Sequence, residues 1–382
     1  MLNMELRSTV ESLFRRIQNG EITDLQALFK KIDGLGDFDR SYLFDLNNAI
    51  EGNNWNLLGR HFQNENFISN DGIFLIIAPY RVYRSKKLIE QLSGLLGIAT
   101  LVDEQSENVS TYLKNLSPTN EDLTKIIGFR RLSSFGAVGG PLGEAFLVPN
   151  AWCFKGAENG PALNDLTEQY ARINIASWCI TQIFNETTSN MLLNPVLDPI
   201  DGISIRNREF QFHEAGHFSG YGFSKKFNQL FFQDHLNRAV EEWRSDGVSF
   251  YLMEKSINEE QFSKLIASNI VLRLGLDIHR PGGTDSDPDV IASSLMLQDM
   301  LESGNCIVED NKLSFPIKNL SQLSNVVSRQ KERAIELTIF ERASTINEIN
   351  SKYSEVSLKT ETSKLVKKFV RAPCVGLHVL LR

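Results

Sequence analysis

The sequence predicts a mainly α protein of α+β type, a largely helical chain with a small β-containing portion towards its N-terminus. Three observations carry that expectation. Apolar residues recur at three- and four-residue spacings over most of the chain, the period of an amphipathic helix. Runs rich in Ile, Phe, Tyr and Val, which suit strands, are confined to residues 72–82 and 97–102. The chain's 382 residues exceed one small module, at roughly 100 to 200 residues per domain.

Residues 1–70 place Leu13 and Ile17, then Leu25, Leu28 and Ile32, at helical spacings. Gly20 and the Gly34-Leu35-Gly36 turn interrupt them, so small packed helices are expected. Gly72–Val82 reads as a strand, Ser85–Leu96 as a helix and Gly97–Val102 as a second strand, a strand–helix–strand element without a nucleotide-binding glycine pattern. Phe135–Gly143 holds four glycines and a proline in nine residues. No Lys-Ser or Lys-Thr follows, which excludes a P-loop and leaves a turn-rich connector that could lie against a substrate. A helix is expected over 163–193 and a loop over 194–208, where Pro195 and Pro199 fall. Helices near 226–254 and 258–274 precede a Gly/Pro/Asp loop at 280–288, and further helix is expected at 289–302 and within 318–382. This organisation divides the chain into 1–135, a central core at 136–310 and a C-terminal helical segment at 311–382.

Composition narrows the function. With 42% hydrophobic and 23% charged residues the chain is ordinary globular material. Forty basic against forty-seven acidic residues give a net charge of -7, the wrong sign for a phosphate-backbone binder, so no nucleic-acid partner is expected. The apolar runs fall short of the ~18 residues needed to span a bilayer, so no membrane partner is expected either. The N-terminus lacks the apolar core of a secretory signal, and Cys153, Cys179, Cys306 and Cys374 show no C-x-x-C spacing. Buried free thiols in a cytoplasmic protein are the expectation. Nothing in the residues speaks to oligomeric state.

Only six histidines occur, and two of them fall four residues apart. His213-Glu214-Ala215-Gly216-His217 is an H-E-x-x-H motif. On a helix these histidines share a face and can aim imidazole nitrogens at one ion, with Glu214 beside it as the base that takes a proton from an activated water. The aromatic flanks Phe210, Phe212 and Phe218 make an unpaired charge there costly. Two imidazoles need a third protein ligand, which leaves a fourth position open. The segment Glu241-Glu242-Trp243-Arg244-Ser245-Asp246 offers Glu242 or Glu241, and His235, seven residues before Glu242, is a rival ligand or a pocket acid. Asp246 lies one turn past Glu242, placed to accept the N–H of a ligand histidine. The plain alternative is a solvated helix face without metal. One zinc ion per chain suits two imidazoles and a carboxylate, although iron or manganese also use such sets.

With H-E-x-x-H and E-E-x-R-x-D in this order, the chain resembles the gluzincin metallopeptidases, and most of all the zinc core of the dipeptidyl peptidase III family. The resemblance covers about residues 141–305, including Ser219-Gly220 after the first motif and Gly247–Leu252 after the second. It implies a helical, zincin-like core in which Glu242 is the metal ligand and Asp246 supports a histidine. It extends to Leu295–Gly304 and to Gly143–Asn150, the latter as a substrate-facing segment. The family carries one more residue between its histidines than this chain does. The family's transition-state histidine has no direct counterpart; His279 is the nearest substitute, and Arg280 beside it can pair with a substrate carboxylate. Tyr221 can hydrogen-bond a developing oxyanion. Together these residues predict a zinc-dependent hydrolase acting on a peptide or other amide-like substrate. A metal-dependent enzyme for a non-peptide small molecule and a non-catalytic protein with a structural metal remain open, so the expected partner is a small molecule or a short peptide.

Overall fold

The computed structural model describes residues 41, 44, 73–77, 96–104, 127–135, 144–151 and 160–370, apart from 199–200, 218, 220–233 and 281–282. Apart from residues 41 and 44, the expected small helices of 1–70 lie outside these residues, as do the glycine-rich connector at 136–143 and the helix expected at Ser85–Leu96 except for Leu96, which is in a strand. The chain divides into two compact units, one of residues 1–105 and 124–167 and the other of residues 106–123 and 168–382.

The first unit carries a five-stranded sheet of β1 (Ile73–Ile77), β2 (Leu96–Glu104), β3 (Ile127–Phe135), β4 (Glu144–Ala151) and β5 (Gly160–Asp165). Strand order matches chain order and every neighbouring pair is antiparallel, so the sheet is a meander. Ile73 faces Thr100 and Leu96 faces Phe135, with register shifts in β2–β3 between Ile98 and Ala99 and between Leu101 and Asp103. The two strands expected from the sequence are β1 and β2, and they are direct antiparallel neighbours. β3, β4 and β5 are additional to the expected strands.

The second unit is helical, and the mainly α class holds for the described residues. Its elements are α1 (Leu166–Ile183), α2 (Glu186–Val196), α3 (Gly202–His217), α4 (His235–Ser256), α5 (Glu259–Gly275), the 3-10 turn Asp277–His279, the short α6 (Gly283–Ser286) and α7 (Pro288–Glu302). A hairpin of β6 (Ile307–Glu309) and β7 (Lys312–Ser314) comes next, then the turn Leu320–Gln322, α8 (Leu323–Val326), α9 (Ser328–Ala343), α10 (Ile346–Glu355) and α11 (Thr360–Phe369). The hairpin turns on Asp310 and Asn311 at φ 47° and 62°, the left-handed pair that matches strand twist and that Asp and Asn tolerate. No described helix is long and apolar enough to cross a membrane. Cys179 and Cys306 are buried and not disulfide-bonded, and burial pushes the Cys306 thiol up to about 12.

Local chemistry sets the helix starts. Asn185, Asp234 and Asn258 accept backbone N–H groups of Thr188, Leu236 and Gln261 at 2.9, 2.8 and 2.9 Å. Asp287 accepts from Asp289 at 2.9 Å, with Pro288 at the first helical position of α7, where its missing N–H costs nothing. Thr345 and Glu348 form a reciprocal capping box on α10. Each such cap contributes about 1 kcal/mol. The loop expected over 194–208 is mostly helix. Pro195 sits one residue from the end of α2, so its missing N–H and ring disturb only the last turn, and Asp198 accepts the Asp201 N–H at 2.8 Å just before α3 begins.

α4 is the axis of the unit, packed against α3, α5, α7, α9 and α10. Its apolar residues Val240, Trp243, Val248, Phe250 and Leu252 are buried, and so are Arg244, Ser245, Asp246 and Ser249. A helix covered on all sides must find a partner for each polar group. Trp243 Nε1 donates to Asp299 of α7 at 2.9 Å, and Gln330 of α9 donates to the Trp243 carbonyl at 2.8 Å. Two glycines permit the close crossings. A Cβ on Gly247 would lie 2.4 Å from the Ala334 Cβ, and one on Gly216 of α3 would lie 2.4 Å from the Ser245 carbonyl oxygen.

Alanine at Gly216 gains about 1 kcal/mol of helix propensity. Its methyl group meets a backbone carbonyl that cannot rotate away, and such overpacking costs about 1–3 kcal/mol or more. Gly216→Ala is therefore expected to lower the urea midpoint of the helical unit; an unchanged or raised midpoint would show that the α3–α4 crossing is not tight.

Candidate metal centre

His213 and His217 stand one turn apart on a single face of α3, and Glu242 and Asp246 one turn apart on a face of α4, with Glu241 on the flank. The α3–α4 crossing brings these faces together. His213 Nδ1 lies 2.8 Å from Asp246 Oδ1, and His217 Nδ1 lies 3.0 Å from Glu241 Oε1. An ionised carboxylate only accepts, so both Nδ1 atoms carry hydrogen and donate. Each imidazole then turns its Nε2 to Glu242: His213 Nε2 is 3.3 Å from Oε2, and His217 Nε2 is 3.7 Å from Oε1.

The potential ligand atoms of His213, His217 and Glu242 all lie within 4.8 Å of one another. Atoms bound to one tetrahedral zinc at ~2.0–2.1 Å are spaced by about 3.3 Å, close to the shorter separations found here. The donor set therefore fits zinc in number, type and spacing. His213 is buried, whereas the Glu242 side chain is 30% exposed, so the centre is open on the Glu242 and His217 side.

Both supporting carboxylates are themselves held. Asp246 accepts from Asn269 Nδ2 at 3.0 Å and from Arg273 Nε at 2.7 Å, both on α5. Glu241 accepts from Arg244 at 2.6 and 2.8 Å and lies 3.0 Å from the Tyr353 hydroxyl of α10. That hydroxyl is also 2.6 Å from Glu341 of α9, and Arg244 donates onward to Ser219 and Thr338 at 2.8 and 2.9 Å.

Burial works against each charge, and the neighbours outweigh it. Arg244 and His217 bring Glu241 down to about 2, Arg273 and His213 bring Asp246 down to about 2, and Glu242 is held well below the usual carboxylate range by His213, His217 and Arg273. Burial alone would lower His213; Asp246 and Glu242 reverse that and raise it to about 10. The field that holds a proton on His213 so firmly is a field that attracts a cation to the same point.

Glu214 is half-buried beside His213, a further 100° around α3. His235 is exposed at the first residue of α4, 3.9 Å from Asp234. It shares the stripe of Glu242 but precedes it by two turns, about 10.5 Å, so it stands apart from the donor cluster. His279 is buried in the turn after α5, where burial pulls its pKa down to about 4 and leaves it neutral. Arg280 is engaged by Asp277 at 2.8 Å and by Asp289, a carboxyl that burial and the neighbouring acids Asp277 and Glu242 push up to about 6 despite its arginine partners. Tyr221 lies outside the described residues. Glu241, a rival ligand in the sequence, orients His217 in the structure. Asn269, Arg273 and Tyr353 join the site without having been expected there. The first two carry a signal, polar residues four apart among Ile266, Ile270, Val271 and Leu274, while nothing in the sequence marks Tyr353.

The fold is similar to two solved structures. One is the dipeptidyl-peptidase III of Corallococcus sp. strain EGB, with a TM-score of 0.53 and 14% identity over 93% of this chain and 68% of that one. The other is DPP III from Caldithrix abyssi, with a TM-score of 0.53 and 13% identity over 95% of this chain and 70% of that one. At these identities the likeness is one of fold. No curated protein matches the sequence. A family model does match, over residues 3–273, a span that takes in both histidines, the acidic residues of α4 and their partners Asn269 and Arg273, and the chain thus belongs to the Family of unknown function (DUF6014).

Proposed function

We propose that this chain is a zinc-dependent hydrolase acting on the amide-like bond of a short peptide. The observation that carries the reading is that both histidines are fixed at Nδ1 by carboxylates and turn Nε2 towards one oxygen or the other of Glu242. Structural zinc sites are closed, whereas a three-residue set open on one side is the pattern of catalytic ones. A zinc ion held by His213, His217 and Glu242 would supply a Lewis acid and lower the pKa of a water to about 7.

The chain's own residues do the rest. Glu214 accepts the water proton on its carboxylate and returns it to the leaving nitrogen, so its two roles need a single side chain beside the histidines. Asp246 and Glu241 keep the imidazoles in the Nδ1–H form and prevent rotation. The peptide reading is supported by the likeness in fold to the dipeptidyl-peptidase III structures. One observation favours a second reading, a non-peptide small molecule as substrate: Arg280 is already paired with Asp277 and Asp289 instead of being free to clamp a substrate carboxylate.

Purified protein is expected to take up about one zinc per chain, measured by elemental analysis after dialysis. His213→Ala should abolish uptake. Glu214→Gln should keep the metal and lose about 10²–10⁴-fold in turnover of a hydrolysed substrate found by screening dipeptide, other amide and ester libraries. Glu214→Gln with full turnover would leave the metal a structural staple, and wild-type protein without metal, unrestored by added zinc, would remove the reading altogether.

Proton release gives an independent check. In metal-free protein His213 stays protonated up to about pH 10. Its raised pKa contributes stability that is complete below its unfolded value, about 6.5, and is lost as pH rises through about 10. Metal-free protein should therefore melt lower at pH 10 than at neutral pH. Zinc uptake near pH 7.5 should displace this proton, seen as a heat of binding that varies with the ionisation enthalpy of the buffer. A buffer-independent heat would contradict the assignment.

A further inference from the structure

Besides His213 itself, the guanidinium of Arg273 touches both the proposed third ligand and the carboxylate that orients a ligand histidine. Arg273 is buried on α5 with 6% of its surface exposed. Its Nη2 donates to Glu242 Oε2 at 3.1 Å and its Nε to Asp246 Oδ2 at 2.7 Å. From the far side Nη1 is held by Asp277 at 3.1 Å and by Asp289 at 3.5 Å. All three nitrogens are committed, so the planar fork has no freedom to turn. The second oxygen of Asp246 takes the His213 Nδ1–H, which makes Asp246 a rigid link from Arg273 to that imidazole.

Glu242 needs such a hold more than its neighbours do. It is the most exposed member of the donor set, and a glutamate's long side chain loses much rotamer freedom when it is fixed. An unanchored carboxylate can also offer an ion one oxygen or both, and taking both fills the position a substrate needs.

We propose that Arg273 is the positioning residue of this centre: by anchoring Glu242 Oε2 it restricts the carboxylate to one-oxygen ligation, and through Asp246 it couples that restriction to the orientation of His213. The inference rests on the metal reading above. It predicts that a lysine at 273, which keeps the charge but loses the fork, does not substitute for the arginine.

The test uses the full-length chain as wild type and as Arg273→Lys, with two readouts other than turnover. Competition against a chromophoric chelator gives the zinc dissociation constant, and the visible spectrum of cobalt(II)-loaded protein reports coordination number. Arg273→Lys should bind zinc about 10- to 100-fold more weakly, as supporting partners of metal ligands generally do. Its cobalt bands should lose intensity as a four-coordinate ion gains a ligand, a change that a purely structural role for Arg273 would not produce. Unchanged zinc affinity and an unchanged cobalt spectrum would overturn the proposal. Wild-type protein that takes up neither metal would overturn the metal reading and this inference with it, so the two failures are told apart by the wild type alone. If Arg273→Lys does not fold, Asp277→Asn loosens the far side of the guanidinium and leaves the three ligands and Asp246 in place. It should shift both readouts in the same direction by a smaller factor, and no shift in either would likewise overturn the proposal.

Discussion

The candidate metal centre depends on how closely α3 can approach α4. At Gly216 the absence of a side chain lets α3 come within reach of the Ser245 carbonyl, and the Ser245 hydroxyl donates to the carbonyl of His213 on the same crossing. Only at that separation can Asp246 reach one histidine and Glu241 the other in direct hydrogen bonds. Widening the crossing by the width of a methyl group would replace both bonds with gaps. The motif's two histidines are therefore brought to Asp246 and Glu241 as much by the glycine between them as by their own chemistry.

A second constraint arises from burying so much charge. Arg244, Asp246, Glu241 and Arg273 all lie in the interior, where an unpaired ion costs several kcal/mol. Each is compensated only in one arrangement of α4 relative to α3, α5, α9 and α10. Rotating α4 by a single residue would move every carboxylate by 100° and leave at least one arginine without its partner. Buried charge of this kind adds little net stability, and its effect here is to exclude alternative registers of the central helix.

How far the sequence discloses the structure divides along physical lines. H-E-x-x-H and the E-E-x-R-x-D segment are legible because helical spacing converts directly into a shared face, and the structure brings those faces together. Mainly helical architecture is legible for the same reason. The start of α3 is not, because Pro195 and Pro199 suggest a loop, whereas a proline in the final turn of a helix breaks little and Asp198 turns the chain directly into α3. β3 hides behind the paired charges Arg130 and Arg131, β4 contains Pro149, and β5 opens on Gly160 and Pro161, all poor strand signals. Arg273 and Tyr353 act through tertiary contacts that span 27 residues to Asp246 and 112 residues to Glu241, distances at which periodicity carries no information.

Tyr353 has a consequence for the order in which the centre is completed. A ribosome releases His213 and His217 first, then Glu241 and Glu242, and only more than a hundred residues after Glu241 does it release the tyrosine that closes around that carboxylate. Until then Glu241 is held by Arg244 of its own helix, without the hydroxyl that completes its surroundings. The His213 side of the site needs only α4 and α5, whereas the His217 side is complete only when α10 is in place. The two histidines thus depend on different lengths of chain: His213 on residues up to Arg273, and His217 on residues up to Tyr353.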